Sequence, residues 1–237
     1  MKFDRPLIPA TLLRRHKRFL AECRLDDGTE VTAHCANPGA MTGLANAGIR
    51  VWLEPNDDPK KKLDFGWRLV EHIDGNFTGV DTAVPNRMLR AAFEARAIPP
   101  LAAYSSVRTE VPYGEKSRVD FLLSEPGLPD AYVEVKSVTL CRRPGVAEFP
   151  DTKTERGARH MLELALMAKE GYRAVVFFLV QRTDCSQVEI AGDIDPDYAR
   201  AMQIAREAGV EVMAFGANIS PKGVTVSTAL PFNLGVL

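Results

Sequence analysis

Hydrophobic and polar residues alternate in two different ways along this chain. Up to about Val80 the apolar residues fall in short runs broken by turn residues, with no convincing helical period. Phe19 to Leu25 and Glu30 to His34 flank Asp26-Asp27-Gly28, a hairpin signal because glycine supplies the positive φ that a tight turn requires. Ile49 to Leu53, Leu69 to Ile73 and Phe77 to Val80 add further strands, the last two separated by Asp74-Gly75-Asn76. About five strands in roughly 80 residues predict a small β-barrel; an oligonucleotide-binding (OB-fold-like) barrel is one form, and other small barrels fit equally well. The loop His34 to Gly43 is rich in groups that bond a ligand or shape a turn, and we read it as a turn.

From Pro85 the pattern changes to alternating helix and strand. Asn86 to Ala97 carries Met88, Leu89, Ala92 and Phe93 on one helical face and stops before Pro99-Pro100. Thr152 with Glu155 forms a Thr-x-x-Glu capping box, predicting a helix from about Lys153 to Lys169 that ends at Gly171. Ala174 to Val180 is a continuous apolar run of strand length, the mark of a central strand covered on both faces. Pro196 to Ala208 is a further helix closed by Gly209, and Val210 to Phe215 a further strand. This order predicts an α/β domain with a mixed sheet. The expected division is a barrel at residues 1–82 and an α/β domain at 83–237, with the boundary near 81–85.

The candidate chemistry lies on a hairpin. Ser117 to Leu123 and Ala131 to Val138 read as strands joined by the Gly/Pro turn Glu125 to Pro129. If the hairpin is symmetric about Gly127, Asp120 and Glu134 stand opposite one another, with Cβ atoms about 5 Å apart. The period of two places Lys136 on the same face and sends Val133 and Val135 into a core, so one face is charged and the other apolar. Two opposed carboxylates repel unless one is protonated or a cation lies between them. Mg²⁺ (or Mn²⁺) suits an all-oxygen site of two carboxylates plus a substrate phosphate, and Lys136 would stabilise charge developing there. This makes Asp120 and Glu134 candidate metal ligands and Lys136 a candidate catalytic residue for phosphodiester cleavage. A surface Glu/Lys pair of little consequence is the plainer alternative. On the helix after the hairpin, Arg156, His160 and Glu163 share a face, and the helix N-terminus beside Arg156 favours phosphate. His160 joins the candidate site as a donor to phosphate or to a metal-bound water, and Glu94 is a weaker candidate ligand.

Charge sets limits on how nucleic acid could be bound. The 237 residues carry a formal net charge of −1, which excludes coating of nucleic acid by bulk attraction and leaves only local basic clusters. The best placed is Arg14-Arg15-His16-Lys17-Arg18, directly before the strand-like Phe19-Leu20-Ala21; Lys60-Lys61-Lys62 and Arg142-Arg143 are others. Arg14, Arg15, Lys17, Arg18 and Arg156 are therefore the candidate nucleic-acid contacts. Stacking of bases on Phe19 or Trp52 would suit single strands, although both serve equally well in a core. Cys23, Cys35, Cys141 and Cys185 are scattered without zinc spacing, consistent with reduced thiols. There is no apolar run long enough to span a bilayer and no signal-peptide pattern, so the expected location is cytoplasmic.

Several segments together resemble the sugar fermentation stimulation protein A family. They are Arg14 to Leu20, Asn37 to Gly43, Pro85-Asn86, Tyr113 to Leu123, Tyr132 to Leu140, and Phe149-Pro150-Asp151 through Thr154-Glu155-Arg156-Gly157 to His160. The resemblance implies a DNA-binding protein with an OB-like barrel followed by a domain similar to PD-(D/E)xK restriction-endonuclease-like nucleases. In that superfamily the metal-holding Asp and Glu-x-Lys match Asp120, Glu134 and Lys136. Val119 replaces the nominal proline before Asp120, and Ala36 and Pro38-Gly39-Ala40 depart from the family's loop wording. DNA is the expected partner, with RNA also compatible, and a homodimer is an option that nuclease folds often take. The alternative to a nuclease is a non-catalytic DNA-binding regulator of sugar (maltose) metabolism, and an enzyme of small phosphorylated metabolites is a third reading.

Overall fold

The structure, a computed structural model, describes residues 1–114 and 117–235. Glu115 and Lys116, inside one segment of the family resemblance, lie outside the described residues, as do 236–237. The first six strands are β1 (Ile8–His16), β2 (Leu20–Leu25), β3 (Glu30–Cys35), β4 (Arg50–Pro55), β5 (Phe65–Glu71) and β6 (Phe77–Gly79). They run in the order β3-β2-β1-β4-β5-β6, and an extra β3–β5 pairing closes five of them into a barrel. Ala10, Leu12, Cys23, Val51, Leu53 and Trp67 fill its interior.

The sequence pattern does not mark β1, because Arg14, Arg15 and His16 mask its alternation. It forms because it is flanked on both sides, by β2 and β4, and because Arg14 lies against Glu22 across the β2 ladder. The three-residue turn Lys17-Arg18-Phe19 joins β1 to β2, with His16 paired to Leu20 and positive φ at Lys17 and Arg18 (49° and 63°).

The second unit begins with α1 (Val84–Glu94) and a 3₁₀ turn at Pro99–Leu101. It continues through β7 (Ser106–Tyr113), β8 (Ser117–Ser124), β9 (Ala131–Val138), β10 (Leu140–Arg143), β11 (Gly145–Phe149), α2 (Glu155–Lys169), β12 (Arg173–Val180), β13 (Cys185–Ile190), α3 (Pro196–Glu207), β14 (Glu211–Ser220), β15 (Gly223–Ala229) and β16 (Phe232–Asn233). The main sheet is mixed, in the order β15-β14-β12-β9-β8-β7, and a smaller sheet runs β10-β11-β13-β16. β12 is central, parallel to both β9 and β14. Val175, Phe177 and Leu179 face the core under α1, whereas Val176, Phe178 and Val180 face the core under α2 and α3. A continuous apolar strand is what such two-sided cover requires.

The barrel docks through Leu69, Trp52 and Phe77 onto the core under α1. Gly79 donates its N–H to Gln181 O at 2.9 Å, and a Cβ there would lie 2.8 Å from Gln181 Oε1, so close contact at the junction depends on glycine. Among the described residues no helix is long and apolar enough to cross a membrane.

Candidate metal and nucleic-acid site

The hairpin has the symmetric register. Phe121 pairs with Val133, Leu122 with Tyr132 and Leu123 with Ala131, about Gly127. The ladder ends at Phe121, and there the side chain of Asp120 takes over: Oδ2 accepts from Val135 N at 2.7 Å and Oδ1 from Asn86 Nδ2 at 2.7 Å. Val133 and Val135 enter the core under α1, as the alternation requires. The charged face differs from the solvated surface that alternation alone would suggest. Glu134 and Lys136 are 4% and 8% exposed, because α2 covers this face of β9.

Burial makes the charge arrangement matter. Lys136 Nζ donates to Glu134 Oε1 at 2.8 Å, and the same oxygen meets His160 Nδ1. Arg156 Nε donates to the other ring nitrogen of His160 at 3.2 Å. That nitrogen must therefore present a lone pair, so Nδ1 carries the hydrogen that points to Glu134. Burial pushes the Glu134 carboxyl up, but Lys136 and His160 outweigh it and hold it below its ordinary range. For Asp120, burial, then the neighbouring Glu134 charge, push the carboxyl up to about 6, against the opposing bonds from Val135 and Asn86 and the weaker pull of Lys136.

The Glu134 carboxylate keeps its second oxygen unbonded. Glu134 Oε2 is buried with no hydrogen-bond partner among the described residues, as are Glu163 Oε2, Tyr113 Oη and Ser117 Oγ. A buried carboxylate oxygen without a partner is costly, and here it belongs to a pair of carboxylates whose mutual repulsion raises one of them. An oxygen-liganded divalent cation such as Mg²⁺, Mn²⁺ or Ca²⁺ would satisfy the oxygen and offset the repulsion, so Asp120 and Glu134 fit a hard cation.

Both residues open onto a cleft of 480 Å³ lined by residues from both units, among them Asn37, Gly39, Asn86, Lys136, Asp151 and Arg156. The barrel contributes the 37–41 loop. Asn37 Nδ2 donates to Val80 O at 3.0 Å, its Oδ1 accepts from Gly39 N at 2.8 Å, and Met41 N donates to Asp151 Oδ2 at 3.4 Å. A Cβ at Gly39 would fall 2.5 Å from Asp151 Oδ2. This segment is thus both a shaped turn and a wall of the cleft.

The helix cap lies two residues later than the capping box predicts. Thr154, not Thr152, is the N-cap of α2, its Oγ1 accepting from Gly157 N at 3.0 Å. Asp195 decides this: its Oδ2 accepts from Thr154 N at 2.7 Å while its Oδ1 caps α3 at Tyr198 N. A Cβ on Gly157 would sit 2.7 Å from Thr154 Cγ2 and 3.2 Å from Tyr198 Cδ2.

The basic candidates separate by position. Arg14 forms a two-pronged pair with Glu22. Arg15 donates to the carbonyls of Arg18, Asn37 and Gly39, tying the β1–β2 turn to the cleft loop. Lys17 and Arg18 are exposed and make no side-chain pair among the described residues. Arg142 and Arg143 are taken up by Glu148, Asp193 and Glu189. Lys61 and Lys62 border a second cavity on the barrel with His34 and Arg68. Phe19 is 44% exposed and stacks on His34, whereas Trp52 is half-buried and donates to Glu71. Glu94 is exposed, pairs with Arg90 and does not line the cleft. Asn86 and Lys153 also line the cleft; the Pro85-Asn86 pair at a helix start is the sequence signal for the first, and nothing local marks Lys153.

Comparison with known proteins accounts for both units. A family model described as the SfsA N-terminal OB domain matches residues 13–80, and one described as the sugar fermentation stimulation protein RE domain matches 83–223. The chain belongs to the SfsA family. Sugar fermentation stimulation protein homologs from Ruegeria pomeroyi and Roseobacter denitrificans are 65% and 62% identical to it, over 97% and 99% of this chain and 100% of each relative. The homolog from Agrobacterium fabrum is 50% identical over 96% of this chain and 95% of its own. A solved structure described as that of Pyrococcus furiosus SfsA in complex with Ca²⁺ aligns with a TM-score of 0.89 at 27% identity, covering 99% of this chain and 98% of that one. The fold is accordingly an SfsA-type OB barrel followed by a mixed α/β domain.

Proposed function

We propose that this SfsA-family chain binds nucleic acid, DNA in the first place, without sequence preference and hydrolyses phosphodiesters at the Asp120/Glu134/Lys136 site with Mg²⁺ or Mn²⁺. The observation that carries the reading is the buried, unpartnered Glu134 Oε2 beside a second carboxylate at the floor of a cleft walled by an OB barrel. The Ca²⁺ complex of the Pyrococcus furiosus relative supports it, because Ca²⁺ takes the same hard oxygen donors.

Asp120 and Glu134 would hold the ion, which when bound polarises the phosphoryl group and lowers the pKa of a water. Asn86 and the Val135 N–H fix the Asp120 carboxylate, so its geometry costs no reorganisation. Lys136 places a positive charge beside Glu134, where negative charge develops on the phosphorane. His160, with both nitrogens engaged, acts through Glu134 by holding Oε1 in place. Arg156 and Lys153 at the cleft, with Lys17 and Arg18 on the barrel turn, would take the phosphate backbone.

Labelled single- and double-stranded DNA and RNA, incubated with Mg²⁺ or Mn²⁺, test this against Glu134→Gln and Lys136→Ala proteins shown to be folded. The expected result is metal-dependent cleavage that both substitutions abolish. Binding without cleavage, unchanged in both variants, would instead support a DNA-binding regulator of sugar metabolism, in keeping with the relatives' name.

A further inference from the structure

Two cysteines far apart in the sequence meet at the smaller sheet. Cys141 lies on β10 and Cys185 opens β13, with β11 paired to both strands and Gly145 opposite Cys185. The two sulfurs and a carboxylate oxygen of Asp184 lie within 4.8 Å of one another, and all three residues are half-buried. We propose that Cys141, Cys185 and Asp184 form a second cation site, separate from the cleft, for a thiophilic divalent ion of the zinc type.

The donor set separates the two sites chemically. The cleft offers oxygen alone, whereas two thiolates with one carboxylate select zinc over magnesium or calcium. A tetrahedral ion with Zn–S near 2.3 Å sets its sulfurs about 3.8 Å apart, so small side-chain rotations complete the site and leave a fourth position for water. Cys185 Sγ now donates to Asp184 Oδ1 at 3.6 Å and Cys141 Sγ to Arg143 O at 3.1 Å, and the ion takes the place of both protons, which pass to solvent.

Charge and orientation are already arranged. Arg182, 7% exposed, grips Asp184 with two bonds, Nε to Oδ1 at 2.9 Å and Nη2 to Oδ2 at 2.6 Å. A dication and a guanidinium against two thiolates and a carboxylate sum to zero, so filling the site buries no net charge. A ligand carboxylate held by an outer hydrogen-bonding partner is the usual design of a metal site. Arg182 also donates through Nη1 to Thr139 O at 3.1 Å, and Thr139 lines the cleft. The ion would therefore tie β10 to β13 behind the cleft wall.

The test is a Co²⁺ titration of the full, reduced, metal-stripped protein. Cleft oxygens give no sulfur band and Cys23 and Cys35 are fully buried in the barrel, so a thiolate-to-cobalt charge-transfer band that needs Cys141 and Cys185 reports this site, and its failure is independent of any nuclease result. The expected outcome is a band that saturates at one ion per chain, is displaced by Zn²⁺ and releases protons as it forms. Cys141→Ser and Cys185→Ser should lose the band while keeping the native circular dichroism, and Asp184→Asn, which removes a ligand and not merely an outer partner, should weaken zinc binding by at least about 10-fold. No sulfur band at saturating Co²⁺, equal zinc affinity in both serine variants, or a Cys141–Cys185 disulfide as the stable form in reducing buffer would overturn the proposal.

Discussion

Asp120 is held at a cost, and removing its charge should make the protein more stable. Its carboxyl is raised from an ordinary 3.8 to about 6 by burial and by Glu134. That rise corresponds to at most about 3 kcal/mol against the charged form. Asp120→Asn removes the charge but keeps an oxygen for Val135 N, and its amide can donate to Asn86 once that side chain turns over. Rearranging one hydrogen bond costs about 1 kcal/mol, leaving a gain of about 1–2 kcal/mol at neutral pH. The sign with pH follows from a folded pKa above the unfolded one. The contribution of Asp120 to stability is fully present below 3.8 and is lost as pH rises through about 6, so the advantage of the variant should be absent in acid, grow across that window and be flat above it. Urea unfolding followed by far-ultraviolet circular dichroism at stepped pH measures the difference, in which the shifts of other groups largely cancel. Mg²⁺ at about 100 times its dissociation constant should add about 2.7 kcal/mol to the parent protein and far less to the variant. A variant that is less stable at every pH, or that gains as much from Mg²⁺, would refute the account of a carboxylate kept for a cation.

Two further outcomes follow from local geometry. Gly157→Ala should destabilise by about 1–3 kcal/mol, because the added methyl meets Thr154 at 2.7 Å and Tyr198 at 3.2 Å; in a Thr154→Ala background, itself costing about 1 kcal/mol of cap, thermal unfolding should show a smaller penalty for the same change. In fluorescence anisotropy with labelled DNA, Lys17→Ala with Arg18→Ala should reduce the slope of log affinity against log salt by about 1.8 if both meet phosphate, whereas Arg14→Ala, whose charge Glu22 already offsets, should change it far less.

Local order alone was enough to place the Asp120/Glu134/Lys136 constellation. A glycine turn and a two-residue period set the pairing of Phe121 with Val133, and from that pairing the side of each neighbour follows. The same holds for β12, whose unbroken apolar run already implied cover on both faces. Tertiary packing decided what those residues experience. Glu134 and Lys136 become buried only because α2 lies on their face, and Asn86 reaches Asp120 only because α1 packs behind the opposite face of the sheet. The α2 cap moved to Thr154 because Asp195, from the start of another helix, binds its N–H. β1 is a strand although its second half reads as a basic cluster, because two neighbouring strands supply ladder bonds and Glu22 offsets Arg14. Cys141 and Cys185 carry no spacing signal and meet only through the order of the smaller sheet. Alternation and turn chemistry act over a few residues and are written in the chain, whereas burial, pKa and the meeting of distant side chains depend on which faces finally pack together.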